Sequence, residues 1–189
     1  MASASKQSSK IRKLSKLIPD HATTSQLLLE LENRSNPETD RMIAIVGGAH
    51  VENALQVLLI SRFISLHKDD NNLLFDNGGN GTLANFSSKT MVAYAFGLIG
   101  QKTREDLDTI RHIRNTFAHA LVHIQFTHED ISPACMALHH KSQQTMSLFL
   151  KGPKAHYVRA ILNISACMRG SIESLGLLPR QFLPHPSLP

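Results

Sequence analysis

Apolar residues recur at three- and four-residue intervals along most of this chain, while alternation of apolar and polar residues is confined to the short stretch His123-Ile124-Gln125-Phe126. The first period is that of a helix buried on one side, and the second is too short to carry a sheet. Leu27 to Leu31 reads as a short helix, interrupted at Asn36-Pro37 because a residue before proline avoids the helical region. Asn36 suits the cap of the next helix, Pro37 its first turn and Glu38 its positive end. That helix is predicted to run from about 38 to 67, with Ala44, Val51, Leu55, Leu58 or Leu59 and Phe63 or Arg62 on one face. Gly47-Gly48 in its middle costs helix propensity but leaves no side-chain bulk, so another helix can approach closely there. The stretch Asp69 to Gly81 reads as a loop by composition, and it does not match a phosphate-binding loop.

Further helices are predicted at about 87–97, with Gly97 and Gly100 suited to the C-terminal cap, and at about 104–121, capped by Thr103 with Glu105 and Asp106 in its first turn. Thr127, Glu129 and Asp130 suit the start of another, with Pro133 in its first turn. The last is expected at about 154–176, with Val158, Ile161, Leu162, Ser165 and Met168 on one face. The fold class that follows is all-α: a single-domain helical bundle of about five to seven helices. A basic arm is expected at residues 1–20, the helical domain at 21–178 and a proline-rich coil at 179–189.

Composition narrows the function classes. At 189 residues the chain fits one domain. Polar residues break its apolar runs well before the ~18 needed for a membrane span. Two cysteines, Cys135 and Cys167, exclude a disulfide scaffold; both read as small core residues at apolar helical positions. No Trp and only 5% aromatic residues argue against a base-stacking surface. The net charge of +5 is all in the first 17 residues, where Lys6, Lys10, Arg12, Lys13 and Lys16 stand without an acid; the rest holds 15 basic and 15 acidic residues. The arm can make weak, non-specific phosphate contacts but cannot read a sequence. It is followed by no apolar region of a secretory signal, and a cytoplasmic location is expected.

The helix at 104–121 carries the most information. At ~100° per residue, Leu107, Ile110, Ile113, Phe117 and Leu121 form a core stripe. Asp108, His112, Asn115 and His119 form a polar ridge opposite. Such a ridge is commonly a solvated helix back. This one lacks Lys and Glu, however, and combines groups that can bond to each other across a two-fold axis, as a self-pairing interface would. Arg114-Asn115-x-x-x-His119 has a chemical reading too. A histidine gives and takes protons near neutral pH, and an arginine holds a phosphate. Together they can cleave RNA without metal, the 2′-hydroxyl being the nucleophile. Metal is a weaker reading: His119 and His123 have an i, i+4 spacing and Glu129 or Asp130 could add a ligand, but there is no His-Glu-x-x-His. His139-His140, two neighbours facing different ways on a helix, is a weak ligand set. Neither metal nor cofactor is expected.

Arg114, Asn115 and His119 in an all-α chain resemble the Arg-x4–6-His motif of the HEPN superfamily. Many of its members are metal-independent ribonucleases working as dimers with the motif at the interface; others are inactive scaffolds. A second resemblance covers about residues 24–140. The stretches TDRMIAIVGGAHVENALQVLLISRF (39–63), LFDNGGNGTLANFSSKTMVAYAFGLIG (74–100) and REDLDTIRHIRNTFAHALVHIQFTHEDIS (104–132) are similar to the mannitol operon repressor (MtlR/MltR) family. That resemblance implies an all-α transcriptional regulator with no evident helix-turn-helix, acting as a homodimer through a protein partner. Both resemblances bring in Glu52, as an acid on the long helix facing Arg114 and His119. Under the ribonuclease alternative Arg114 and His119 would be catalytic, with Asn115 and Glu52 in support. Otherwise Glu52 is a buried acid paired with Arg111 or Arg114.

Overall fold

The structure, a computed structural model, describes residues 20–32, 36–63, 67–75, 81–140 and 152–175. Apart from Asp20 the basic arm lies outside them, as does the proline-rich stretch at 179–189. The described residues form seven helices and no strand: α1 (His21–Glu32), α2 (Pro37–Arg62), α3 (Lys68–Phe75), α4 (Phe86–Ala95), α5 (Gln101–His119), α6 (Ile131–Ala137) and α7 (Pro153–Leu175). The all-α expectation stands.

Helix α2 is the hub. Its start is as expected: the Asn36 side chain accepts the Thr39 N–H at 2.7 Å and Pro37 occupies the first turn. It ends at Arg62, short of the predicted 67. α1 and α7 pack on one side of it and α4 and α5 on the other, while α6 bridges α5 and α7. α2 is long and apolar enough to cross a membrane, with a mean hydropathy of 1.6 over its most apolar window. Burial explains that composition, because more than half of the window is enclosed by its neighbours. The two glycines mark both crossings. A Cβ on Gly47 would stand 2.7 Å from Ile161 Cδ1 of α7, and one on Gly48 would stand 2.7 Å from Arg114 Cδ of α5. One residue pair therefore lets two helices approach on different sides.

Several boundaries differ from the sequence expectation. Part of the supposed loop after residue 69 is α3, with Asp69 and Asp70 in its first turn and Phe75 buried against the core; residues 76–80 lie outside the described residues. Gly97, at φ +66°, closes α4: its N–H donates to Tyr94 and that of Leu98 to Ala93. Gly100 is instead the N-cap of α5, which starts at Gln101, two residues ahead of Thr103. Glu105 and Asp106 therefore stand beyond its first turn. α5 stops at His119, and Leu121 is fully exposed rather than part of the core stripe. Residues 123–125 form no strand, and α6 starts at Ile131 after a run of turns.

The α5–α6 connection is held by side chains of α2. Arg41 donates to the Ala120 carbonyl at 2.6 Å, which satisfies the end of α5. Buried Asp40 accepts the Phe126 N–H at 3.0 Å and pairs with Lys154 of α7 at 3.0 Å. Phe126 then packs between Phe117 and Tyr157 with its ring tilted against both, at centroid distances of 4.9 and 5.1 Å. Burial raises the Tyr157 hydroxyl well above its ordinary range, and it donates to the Ala44 carbonyl at 2.9 Å. Cys135 is a buried core residue whose thiol burial pushes up to about 12, whereas Cys167 is exposed, against expectation. Cys167 lies on the far side of α7 from the buried row Val158, Ile161, Ser165 and Met168.

Candidate functional site

The seam between α2, α4 and α5 gathers three of the four motif residues. Gly48 gives the Arg114 stem room to lie against α2, and its guanidinium reaches Glu52 Oε2 at 2.7 Å. The other carboxylate oxygen accepts from Lys89 Nζ of α4 at 2.9 Å. The guanidinium also stands over the Phe86 ring at 5.6 Å, and its Nε donates to Asn115 Oδ1 at 3.3 Å. Of the two partners open to Glu52 in the sequence, Arg114 rather than Arg111 takes the role. Lys89 is the addition that sequence reasoning missed. Its side chain is 3% exposed, and nothing in its sequence neighbourhood marks it as buried. One carboxylate thus faces two cations.

His119 does not join this cluster. It is the last residue of α5 and is exposed, and it makes no hydrogen bond or ion pair with the described residues. On the polar ridge, His112 is exposed while Asp108 and Asn115 are half-buried. The other three ridge groups bond to arginines beside them rather than to each other. Arg111 Nη2 lies 3.5 Å from Asp108 Oδ1 and 3.0 Å from His112 Nε2.

A second cluster lies near the other end of α5. Asp106 is buried and accepts four groups. The backbone N–H of His139 reaches Oδ1 at 2.9 Å and that of His140 reaches Oδ2 at 2.9 Å. Nδ1 of His139 is 2.9 Å from Oδ1, and Nδ1 of His140 is 2.7 Å from Oδ2. Burial opposes ionisation of Asp106, but the bonds from His140 and His139 outweigh it and hold the carboxyl at about 2. The sequence expectation for the two histidines is therefore corrected: they follow α6, and both rings turn to one carboxylate. A signal was present, since Asp106 falls about 40° from Ile110 around the helix, inside the apolar stripe where an acid needs partners.

No family model matches the sequence, and no curated protein matches it. Among solved structures the chain is similar to one from Escherichia coli, the X-ray structure of the MtlR–HPr complex. The superposition has a TM-score of 0.59 at 16% identity and covers 77% of this chain and 98% of that one. The fold resembles that of MtlR. At this identity the likeness speaks for the fold and leaves side-chain roles to the geometry.

Proposed function

We propose that this chain is an MtlR-like regulatory protein without enzymatic activity at the α5 motif, acting through contacts with another protein and with a second copy of itself. The observation that carries this reading is the Glu52–Arg114 ion pair of 2.7 Å. It commits to an internal carboxylate the cation that a ribonuclease would need for a scissile phosphate, while His119 stands apart in solvent. Lys89 reinforces the arrangement from the other side of Glu52. The electrically neutral body adds support, because an RNA-binding groove needs a basic surface. The similar structure contains MtlR with HPr. An HPr-type protein is accordingly the first partner to titrate, by calorimetry, with saturable binding as the expected outcome.

A second reading keeps one specific observation in its favour. Glu52, Arg114 and Asn115 do meet, as the HEPN-like motif implies, and a second copy could bring an exposed His119 to the cluster. The test is cleavage of total RNA and tRNA in excess EDTA by wild type, Arg114→Ala and His119→Ala. No cleavage by any of the three is expected. Cleavage by wild type that disappears in both variants would overturn the non-enzymatic reading.

A further inference from the structure

His140 is the middle of a three-residue relay, and the relay opens on a cleft. Its Nδ1 is 2.7 Å from Asp106 Oδ2 and its Nε2 is 3.2 Å from Thr103 Oγ1. Asp106 is ionised and has no proton to give, so the ring must carry its own proton on Nδ1 and donate it to the carboxylate. With its proton on Nδ1, the ring turns the lone pair of Nε2 toward the Thr103 hydroxyl. A hydroxyl, an imidazole with its lone pair toward it and a carboxylate orienting that imidazole are the three parts of an activated nucleophile.

The surroundings suit that chemistry. Thr103 and His140 are both partly exposed and line a cleft of about 590 Å³ with Gly100, Gln101, Lys102, Glu105 and His139. The N–H groups of Gln101, Lys102 and Thr103 precede the first intrahelical bond of α5, which runs from Arg104 to Gly100. Glycine at the cap supplies no side chain to satisfy them. Among the described residues these donors have no backbone acceptor, and they stand on the same helical turn as the hydroxyl. His139 is bound to Asp106 as His140 is, but its Nε2 faces Glu105 at 3.8 Å and no hydroxyl.

We propose that Thr103 and His140, oriented by Asp106, form an acyl-transfer site for small carboxylic esters, separate from the α2–α4–α5 seam and independent of its protein-binding role. Oγ1 of Thr103 attacks the ester carbonyl carbon while Nε2 of His140 takes the hydroxyl proton. The tetrahedral intermediate collapses with breakage of the carbon–oxygen bond to the alcohol, which leaves with the proton from Nε2. Water attacks the Thr103 ester by the same route in reverse, releasing the acid and restoring the hydroxyl. Asp106 acts as a positioning residue by holding the ring in its Nδ1–H form.

The full chain is incubated with p-nitrophenyl acetate and, separately, with diisopropyl fluorophosphate, which forms a phosphorus–oxygen bond and releases fluoride. Peptide mass spectrometry then locates the adduct. It is expected on Thr103, absent in Thr103→Val, reduced about a hundredfold in rate in His140→Gln, as for loss of a general base, and retained in His67→Gln, at an exposed histidine outside the cleft. Thr103→Ser, with the less hindered hydroxyl, is expected to react at least as fast as wild type. It guards against loss of fold in the other variants. The ring ¹⁵N shifts of His140 are expected to report Nδ1–H in wild type and to move toward the other tautomer in Asp106→Asn. An adduct elsewhere, no adduct in either wild type or Thr103→Ser, or equal labelling of Thr103→Val, would overturn the proposal.

Discussion

Lys89 shows how much one side chain can depend on another. Its ammonium is almost completely enclosed, and the carboxylate of Glu52 neutralises it inside the fold. Removing the acid strands that charge, and breaking a buried pair from one side costs about 3–5 kcal/mol. Glu52→Gln is therefore expected to lower the unfolding free energy in urea strongly, and Lys89→Met to change it by no more than about 1 kcal/mol, since Glu52 keeps Arg114 as its partner and Met fills the same space. The double variant should recover more than half of the Glu52→Gln loss; equal loss in single and double variants would refute the coupling. Asp106 makes a different prediction. Its carboxyl is depressed from 3.8 to about 2 in the folded protein, so its contribution is fully present above the unfolded value and is lost as pH falls through about 2. A carboxyl held that far down contributes about 2 kcal/mol to folding at neutral pH. Urea unfolding from pH 6 to pH 2 should show a decline that is shallower in Asp106→Asn, the variant starting lower at neutral pH.

Among the elements, α2 decides the architecture because it offers a different surface to each neighbour. Gly47 meets the far end of the Ile161 side chain, which can rotate away from an added methyl group. Gly48 meets three stem atoms of Arg114, with Cβ and Cγ both at 3.0 Å, and the stem cannot retreat without drawing the guanidinium from Glu52. Alanine favours a helix over glycine by about 1 kcal/mol, while overpacking costs about 1–3 kcal/mol. Gly47→Ala is expected to be close to neutral and Gly48→Ala to destabilise, by thermal melts on the two purified variants. The reverse order would show that α5 is not seated through Arg114. α5 itself carries distinct groups at its two ends: its first turns meet the histidines after α6, and its last turns meet α2 and α4.

At the level of the whole molecule, the proposed self-association rests on the α5 ridge, because His112 and His119 stand exposed while Asp108 and Asn115 are half-buried beside them. Light scattering on the wild-type chain is expected to give the mass of a dimer. Asn115→Arg places a cation at the centre of the ridge and should yield a monomer with an unchanged helical spectrum. A monomeric wild type, or a variant that keeps the dimer mass, would remove the ridge from the interface. Contact with a second copy would also offer a way for His119 to approach the Arg114 cluster.

The fold class, the start of α2, the approach of helices at Gly47-Gly48 and the core stripe from Leu107 to Phe117 were all legible along the chain. These are local properties, set by the period of apolar residues, by proline and asparagine chemistry and by the missing glycine side chain. Pairing of Glu52 with Arg114 was legible as one of two options, since helical spacing brings both arginines of α5 near the seam. Three-dimensional packing chose between them, through the space above Gly48, and it alone brought Lys89 into the same contact. The separation of His119 from the cluster is itself a local property, because five residues turn it about 140° round α5 from Arg114. The Asp106–His139–His140 group needed the chain to return after α6, and its residues lie more than thirty positions apart. Periodicity records which face of a helix is buried; which polar group meets it there depends on long-range packing.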